Sequence, residues 1–390
     1  MQTGGSTSQS SGAAKKVRRA ANAAEAFWQR VTEGLELQIL WGQFKTEARS
    51  SYGLYSREVD WEGIESDIKW RRPFRICWAL FLAMLMKLSP ARRLLLLLAM
   101  VLMLLPIGVP ADRGGVTIEF PWHYLGVALI FLLLALELAD RVTMKRDLEI
   151  AREIQRWLVP ESPPQVPGVD IAFSTRPANT VAGDYYDAIL RGPADGQPQR
   201  LLVAVADVAG KSVPAAMLMA TFQASLRALE GSEEEFADLV RGLNRYACAN
   251  SLNGLRFTTA FLAEINLSTR EMVYTSAGHN PPLLRRRNSA IEKLEAGGLP
   301  FGIESNEKYE FGSTRLEPGD LLVIYTDGVV EAVNESEEQF EEKRLLEIVA
   351  ATPAGENAAG TLARLTAAVD RFAGQARQHD DITCLILRVT

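Results

Sequence analysis

The pattern of apolar and polar positions separates an apolar first part of the chain from a mixed second part. Residues 94–109 and 122–136 are two runs without Asp, Glu, Lys or Arg. The first run places Leu and Met on every helical face, whereas a helix on the surface of a soluble domain carries a polar stripe. Flanking residues extend each run toward the ~20 residues of a membrane span. The pattern predicts a transmembrane helical hairpin over residues 92–138, and two buried core helices are the alternative.

From residue 169 onward, short apolar segments alternate with turn-forming residues and with longer helical segments. Many successive strands are separated by only a tight turn, which favours antiparallel pairing and an α+β fold over an alternating parallel one. Strands are predicted over residues 171–175, 201–206, 259–265, 272–276, 283–286, 321–325 and 382–389, and helices over 214–228, 233–249, 340–350 and 360–375.

Residues 137–158 contain no Gly or Pro and predict a helix that links the two parts. Leu148, Ala151, Ile154 and Leu158 recur every three or four residues, a stripe that needs a partner helix. A dimerising linker helix over residues 139–160 is one interpretation. The other is a helix that docks on its own domain.

The remaining boundaries follow from composition. Residues 1–19 are predicted to be a disordered polar and basic tail, and residues 20–91 an amphipathic helical juxtamembrane region, with a small helical domain as the alternative. A single domain is predicted over residues 161–390.

Charge is distributed unevenly around the net value of -6. Residues 1–150 carry 19 Lys and Arg against 15 Asp and Glu, whereas residues 151–390 carry 23 against 33. The basic first part suits contact with anionic membrane lipid, and the acidic second part argues against nucleic acid as a partner. The basic residues that flank the apolar runs predict a multi-pass protein of the inner (plasma) membrane, with both long termini in the cytoplasm.

Aspartates recur where predicted strands begin or end. Each one alone has an ordinary explanation as a turn or cap residue. Together they would fix several carboxylates at strand ends, as a metal centre requires, and oxygen ligands favour Mg²⁺ or Mn²⁺ over Zn²⁺. The three cysteines are too far apart in sequence for a zinc knuckle or a CxxC redox motif. The aspartates are Asp184, Asp207, Asp327, Asp380 and Asp381.

A phosphate-binding nucleotide loop is a competing interpretation of Gly210, Lys211 and Ser212, which follow an apolar strand and precede a helix. The full motif needs glycine at the position of Val205, which lies inside the strand. This interpretation is therefore disfavoured. Ser212 is expected to cap the helix that Pro214 begins.

A family resemblance covers residues 148–390. The segments VAGDYYDAI, VADVAGKSVPAAMLMATF, RFTTAFLAEIN, TSAGHNPPLL, GGLPFGI, LEPGDLLVIYTDGVVEAVN and HDDITCLILRV resemble, in order and spacing, the SpoIIE-like branch of the PPM (protein phosphatase type 2C) serine/threonine phosphatases. The preceding EIAREIQRWLVP is similar to the helix before this domain in regulators of the RsbU type. The resemblance implies an αββα sandwich of two antiparallel sheets, with a two-metal site at one end.

The resemblance also implies roles for individual residues. Asp207 would bridge two Mn²⁺ or Mg²⁺ ions, and the carbonyl of Val208 would complete one ligand shell. Asp327 and Asp380 would hold the second ion, and Asp184 would act on the first directly or through water. Hydrolysis would then proceed by in-line attack on phosphorus without a phosphoenzyme. The implied metal ligands are Asp184, Asp207, Val208, Asp327, Asp380 and Asp381, of which Asp184, Asp207, Asp327 and Asp380 are the implied catalytic residues.

Departures from the family pattern concern three positions. Ser212 replaces a usual glycine, and the phosphate-binding arginine of the wider family has no clear counterpart, so Arg176 is only a candidate. His279 could donate a proton, but a structural role in its Asn-Pro turn is favoured.

The resemblance implies a metal-dependent protein serine/threonine phosphatase, and the apolar runs and the linker stripe add the expectations of a membrane anchor and a homodimer. Its implied substrate is a phosphoserine or phosphothreonine on a regulatory protein of a partner-switching pathway, such as an anti-sigma-factor antagonist. A catalytically inactive membrane-bound signalling scaffold and a different cytosolic metallohydrolase are the alternatives.

Overall fold

The computed structural model describes residues 72–105, 122–192, 199–231, 235–251 and 256–390. The chain divides into two compact units, Met1–Ala139 and Asp140–Thr390. The predicted tail over 1–19 and the amphipathic segment that follows it, up to residue 71, lie outside the described residues.

The first unit contains helices α1 (Arg72–Lys87), α2 (Pro90–Leu104) and the beginning of α3 (Trp122–Leu158). Pro90 suits the first turn of α2, where its missing N–H group would have no helical partner. Gly126 of α3 lies against α2, since a Cβ atom there would come within 2.8 Å of Met103 Cγ. Arg92 of α2 forms a 3.0 Å ion pair with Glu137 of α3.

No helix among the residues that the structure describes is long and apolar enough to cross a membrane. Helix α2 has 15 residues, a length of about 22 Å against a hydrocarbon core of about 30 Å. The apolar run of α3 ends before Glu137, and charged residues recur from there to its C-terminus. The predicted transmembrane hairpin over residues 92–138 is therefore not supported.

The second unit contains eleven strands and five further helices among the described residues. Strands are β1 (Val169–Arg176), β2 (Tyr185–Arg191), β3 (Arg200–Val208), β4 (Thr258–Asn266), β5 (Glu271–Ala277), β6 (Leu283–Arg285), β7 (Ile291–Lys293), β8 (Gly297–Gly298), β9 (Gly312–Arg315), β10 (Leu321–Tyr325) and β11 (Ile382–Val389). Helices are α4 (Val213–Glu230), α5 (Phe236–Ala249), α6 (Asp327–Val330), α7 (Glu341–Ala350) and α8 (Ala358–Ala373).

The strands form two largely antiparallel sheets. One sheet has the order β1-β11-β10-β6-β7, and the other has β2-β3-β4-β5-β8, with β9 paired to β5. Some antiparallel pairs join strands that follow each other in the chain, such as β2 with β3, in which Tyr185 lies opposite Ala206. Others join distant strands, such as β1 with β11. The α+β fold with two sheets is confirmed.

Alternating side chains divide the core into three layers. Leu201, Val203 and Val205 of β3 face the other sheet, where they join Leu322 and Ile324 of β10. The intervening β3 residues pack under α4 and α5, in a cluster that includes Met219 and Leu243. On the outer side of the first sheet, β10 and β11 pack under α7 and α8. This two-faced burial gives the helix-sheet-sheet-helix sandwich.

Among the differences from the sequence predictions, two concern segments close to the predicted aspartates. Strand β2 was not predicted, because its polar and aromatic sequence YYDAILR lacks a plain apolar alternation. Ser212 precedes α4, but its side chain forms no capping hydrogen bond, so the predicted cap is wrong. Its φ of 64° and ψ of -144° lie outside the extended region that an N-cap residue normally adopts.

Candidate active site

Four strand ends bring the predicted aspartates to one end of the sandwich. Asp184 immediately precedes β2, Asp207 lies at the end of β3, Asp327 begins α6 after β10, and Asp380 and Asp381 precede β11. Strand pairing enforces this convergence, because β2 pairs with β3 and β10 pairs with β11. The structure therefore gathers all five aspartates.

Asp184 is buried and oriented by a threonine. The hydroxyl of Thr326 donates a 2.9 Å hydrogen bond to Asp184 Oδ2. The oxygen of this hydroxyl, Thr326 Oγ1, accepts a 3.0 Å hydrogen bond from the N–H of Thr383. Thr326 is fully buried. It thus links the end of β10 and the beginning of β11 to the carboxylate before β2.

Asp381 holds the loop that carries Asp184. Its carboxylate accepts hydrogen bonds from the N–H groups of Ala178 and Gly183, at 2.7 and 2.6 Å. Gly183 allows a close approach, since a Cβ atom there would lie 3.3 Å from both Val208 O and Ala215 Cβ. Asp381 therefore anchors the Asp184 loop, and the Val208 carbonyl lies near that loop.

Crowded carboxylates raise one another's pKa values. Burial, followed by the charges of Asp327 and Asp380, raises the pKa of Asp207 from 3.8 to about 7. Burial and the neighbouring Asp207 raise the pKa of Asp184 well above its usual range. Burial is also the main cause of the raised pKa of Asp327, and Glu331 and Asp380 add to it. Negative charge therefore exceeds positive charge around these aspartates.

One lysine partly compensates this charge. Lys211 Nζ lies 3.0 Å from Asp380 Oδ2 and donates a 2.8 Å hydrogen bond to His379 O. The sequence interpretation of Lys211 considered only a nucleotide loop and missed this position. The sequence contained one indication of this position, because Lys211 follows the last residue of β3, the strand that carries Asp207, by only three residues.

The donor set fits a divalent cation, although the carboxylates do not enclose one. Among the described residues, no group of three or more His, Cys, Asp or Glu side chains is arranged to hold a metal ion. The neighbouring donors are nevertheless all oxygen, and their mutual repulsion would be relieved by a cation. Burial of Asp207 beside the charges of Asp327 and Asp380, which together raise its pKa, favours this fit.

A cavity of about 400 Å³ adjoins Asp380 and Gly328. Arg176 and Lys211 line it, together with Arg377 and His379. Arg176, the candidate phosphate-binding residue, pairs there with Asp370 and is partly exposed. The cavity thus places the cationic groups of Arg176 and Lys211 near the Asp380 carboxylate.

Two conspicuous residues have structural roles. His279 is buried, its Nδ1 lies 3.1 Å from Thr259 Oγ1, and burial lowers its pKa to about 4. A neutral histidine near pH 7 is a poor proton donor, as the sequence interpretation favoured. Asp187, the second aspartate of GDYYD, is fully buried and accepts hydrogen bonds from Tyr185 and Arg227.

Comparison with known families gives a match over the second unit. Residues 197–390 match the family described as "Stage II sporulation protein E (SpoIIE)". The chain is 29% identical over 248 residues to "Phosphoserine phosphatase RsbU" of Bacillus subtilis, covering 63% of this chain and 70% of that protein. It is 30% identical over 245 residues to "Protein IcfG" of Synechocystis, covering 56% of this chain. The chain spans only 38% of the length of that second relative.

A solved structure supports the fold. The SiaA-PP2C domain of Pseudomonas aeruginosa is similar to this chain, with a TM-score of 0.54 and 22% sequence identity. The likeness covers 65% of this chain and 98% of that domain.

Proposed function

We propose that this chain is a metal-dependent protein serine/threonine phosphatase of the SpoIIE-like branch of the PPM family, a proposal that the match of residues 197–390 to the SpoIIE family supports. The observation that carries the proposal is the convergence of five aspartates from four strand ends beside a cation-lined cavity. An RsbU-like substrate would be a phosphorylated regulatory protein in partner-switching signalling, such as an anti-sigma-factor antagonist.

The proposed metal ligands are the carboxylates of Asp184, Asp207, Asp327 and Asp380, with the carbonyl of Val208 and the neighbouring Asp381. Mn²⁺ or Mg²⁺ bound there would stabilise the negative charge that develops on the phosphoryl oxygens. Oxygen donors suit either cation. We expect two ions, as the family resemblance implies.

The chain's own residues would orient and neutralise the substrate. Thr326 and Asp381 fix the Asp184 loop, as their hydrogen bonds indicate. Lys211 lies at the cavity wall next to Asp380, where its ammonium group can attract a phosphate dianion. Arg176 would contribute to the same field after exchanging Asp370 for phosphate.

Phosphate release from a phosphoserine protein tests the proposal. We expect release by the full chain with Mn²⁺, none with excess chelator, and a loss of several orders of magnitude in Asp207→Asn, because turnover depends on the carboxylate. Asp238→Asn is the matched control, since Asp238 lies on α5 and pairs with Arg241 at the surface.

Two outcomes would reject this function. Full activity in chelator would exclude the metal-dependent mechanism. Absence of phosphate release under every metal condition, with binding of the phosphoprotein retained, would favour the inactive scaffold.

A further inference from the structure

The side chain of Gln155 forms a two-point contact with the loop that carries Asp184. Its Nε2 donates a 2.7 Å hydrogen bond to Ala182 O, and its Oε1 accepts a 2.9 Å hydrogen bond from Ala182 N. Gln155 lies one turn before the C-terminus of α3, and Ala182 lies two residues before Asp184. A single side chain therefore satisfies both backbone groups of one residue in this loop.

The loop is held from two directions. Asp381 accepts hydrogen bonds from Ala178 and Gly183 on the side of the carboxylates. Gln155 holds Ala182 from the side of α3. The two attachments meet at adjacent residues, Ala182 and Gly183, so a displacement of α3 would be transmitted to the residue that immediately precedes Asp184.

The chemistry of the contact requires an amide. A carboxylate at position 155 could accept from Ala182 N but could not donate to Ala182 O, and an aliphatic side chain could do neither. The part-buried location raises the cost of leaving these backbone groups unpaired.

A small cavity continues the same connection. It has a volume of about 100 Å³, and Arg152, Gln155 and Arg156 of α3 line it together with Ala182 and Asp184. The cavity therefore places the end of α3 and Asp184 around one common space.

We propose that Gln155 is a positioning residue that couples α3 to Asp184 and thereby sets the metal affinity and turnover of the active site. The inference rests on the proposed function for its turnover readout, but the contact itself is measurable without turnover. Gln155 does not touch the reacting groups. It acts through the backbone of Ala182.

Hydrogen exchange of the metal-free full chain tests the contact. In Gln155→Leu, exchange in residues 177–184 should be about tenfold faster than in the wild type, because a hydrogen bond that protects Ala182 N–H is lost. Gln155→Glu should give a smaller increase, since it keeps the acceptor. Gln339→Leu, at an exposed glutamine, is the matched control and should leave exchange in this loop unchanged.

The Mn²⁺ dependence of phosphate release tests the consequence. Gln155→Leu should need about tenfold more Mn²⁺ for half-maximal turnover, and isothermal titration with Mn²⁺ alone should show the same weakening. The Mn²⁺ requirement of Gln155→Glu should lie between those of Gln155→Leu and the wild type. The Mn²⁺ requirement of Gln339→Leu should equal that of the wild type. Circular dichroism checks that each variant is folded. If Gln155→Leu does not fold, Gln155→Glu is used in its place for both measurements.

The failures are distinguishable. An inactive wild type rejects the proposed function. Hydrogen exchange and isothermal titration with Mn²⁺ still test the Gln155 contact in that case. An active wild type with unchanged exchange or unchanged Mn²⁺ affinity in the folded Gln155 variants overturns the inference and leaves the phosphatase proposal intact.

Discussion

At the scale of single residues, the hydroxyl of Thr326 connects three segments of the candidate site. It donates to Asp184 Oδ2 and accepts from Thr383 N, and the residue that follows it is Asp327. A hydrogen bond to a charged group contributes about 1.5–3 kcal/mol when it is buried. Thr326 is therefore expected to fix the carboxylate of Asp184 relative to the end of β10.

Replacing Thr326 with valine tests this role, because the two side chains have the same shape. We expect Thr326→Val to lower the free energy of unfolding by about 1–3 kcal/mol and to raise the Mn²⁺ concentration needed for half-maximal activity. Thr326→Ser keeps the hydroxyl and should restore the Mn²⁺ dependence. Urea unfolding and phosphate release measure the two effects. Equal Mn²⁺ dependence in the valine and serine variants would exclude the positioning role.

Ser212 illustrates a backbone requirement that overrides side-chain preference. Its φ of 64° and ψ of -144° lie in a region that is essentially restricted to glycine. Such a conformation costs about 1–3 kcal/mol for other residues. A serine at this position, where the family that the chain resembles usually has glycine, therefore has a physical cost.

Ser212→Gly should consequently stabilise the folded chain by about 1 kcal/mol, after allowance for the greater freedom of glycine in the unfolded state. Thermal unfolding should show an increase of about 2–4 °C in Tm for a domain of this size. Ser268→Gly, in the turn between β4 and β5, is a suitable comparison and should not stabilise, because Ser268 makes side-chain hydrogen bonds with Asn266. A Tm of Ser212→Gly at or below that of the wild type would show that the loop relaxes without glycine.

At the scale of elements, apolar alternation predicted the central strands well. Strand β10 was predicted over its observed range, and β11 likewise, because both strands are buried on both faces and their sequences are mostly apolar. Strand β2 was missed, because its buried faces include Tyr185 and Asp187, which satisfy each other by a hydrogen bond. The aspartate cluster could be proposed from strand ends, whereas the Thr326, Lys211 and Gln155 contacts depend on tertiary proximity.

The stripe predicted for the linker helix is only partly inward-facing. Leu148, Ala151 and Leu158 are half-buried, whereas Ile154 is 49% exposed. Gln155 takes the inward position and binds Ala182, which agrees with docking of this helix segment on its own domain. A dimer contact through α3 stays a prediction, and Ile154 would lie on the exposed face that could make it, together with Ile150 and Trp157.

Ile154→Ser separates these two uses of the helix. Because Ile154 is exposed, the change should alter the free energy of unfolding by no more than about 0.5 kcal/mol. If the chain dimerises through this face, analytical ultracentrifugation should show more monomer. Leu158→Ser is the comparison and should lower stability more, since Leu158 is half-buried. A monomeric wild type would contradict the predicted dimer.

At the scale of the whole molecule, the packed sheets and helices of the second unit hold several aspartates close together at the strand ends, where their negative charges repel one another. The two sheets and their helices bury three apolar clusters. These clusters fix the strand ends, and the strand ends fix carboxylates whose pKa values are raised by burial and by one another. Without a cation, ionisation of the site opposes folding.

This opposition predicts an inverted pH dependence of stability in chelator. The pKa of Asp207 is 3.8 in its ordinary state and about 7 in the folded chain, so the folded state holds its proton more tightly than the unfolded state. Its contribution to stability is complete below about pH 4 and is lost as the pH rises to about 7. Raised pKa values of Asp184, Asp327 and Asp381 act in the same direction.

Urea unfolding in excess chelator should therefore show a lower free energy of unfolding at pH 7.5 than at pH 5.5, and Asp207→Asn should reduce this difference because the titrating group is removed. Mn²⁺ binds the deprotonated carboxylates, so it should restore stability mainly at pH 7.5, by about 2.7 kcal/mol at a concentration one hundred times the dissociation constant. Asp238→Asn should retain the wild-type pH dependence, since Asp238 lies at the surface of α5. Stability that rises with pH in chelator to the same extent in the wild type and Asp207→Asn would show that the aspartates do not repel one another in the folded chain.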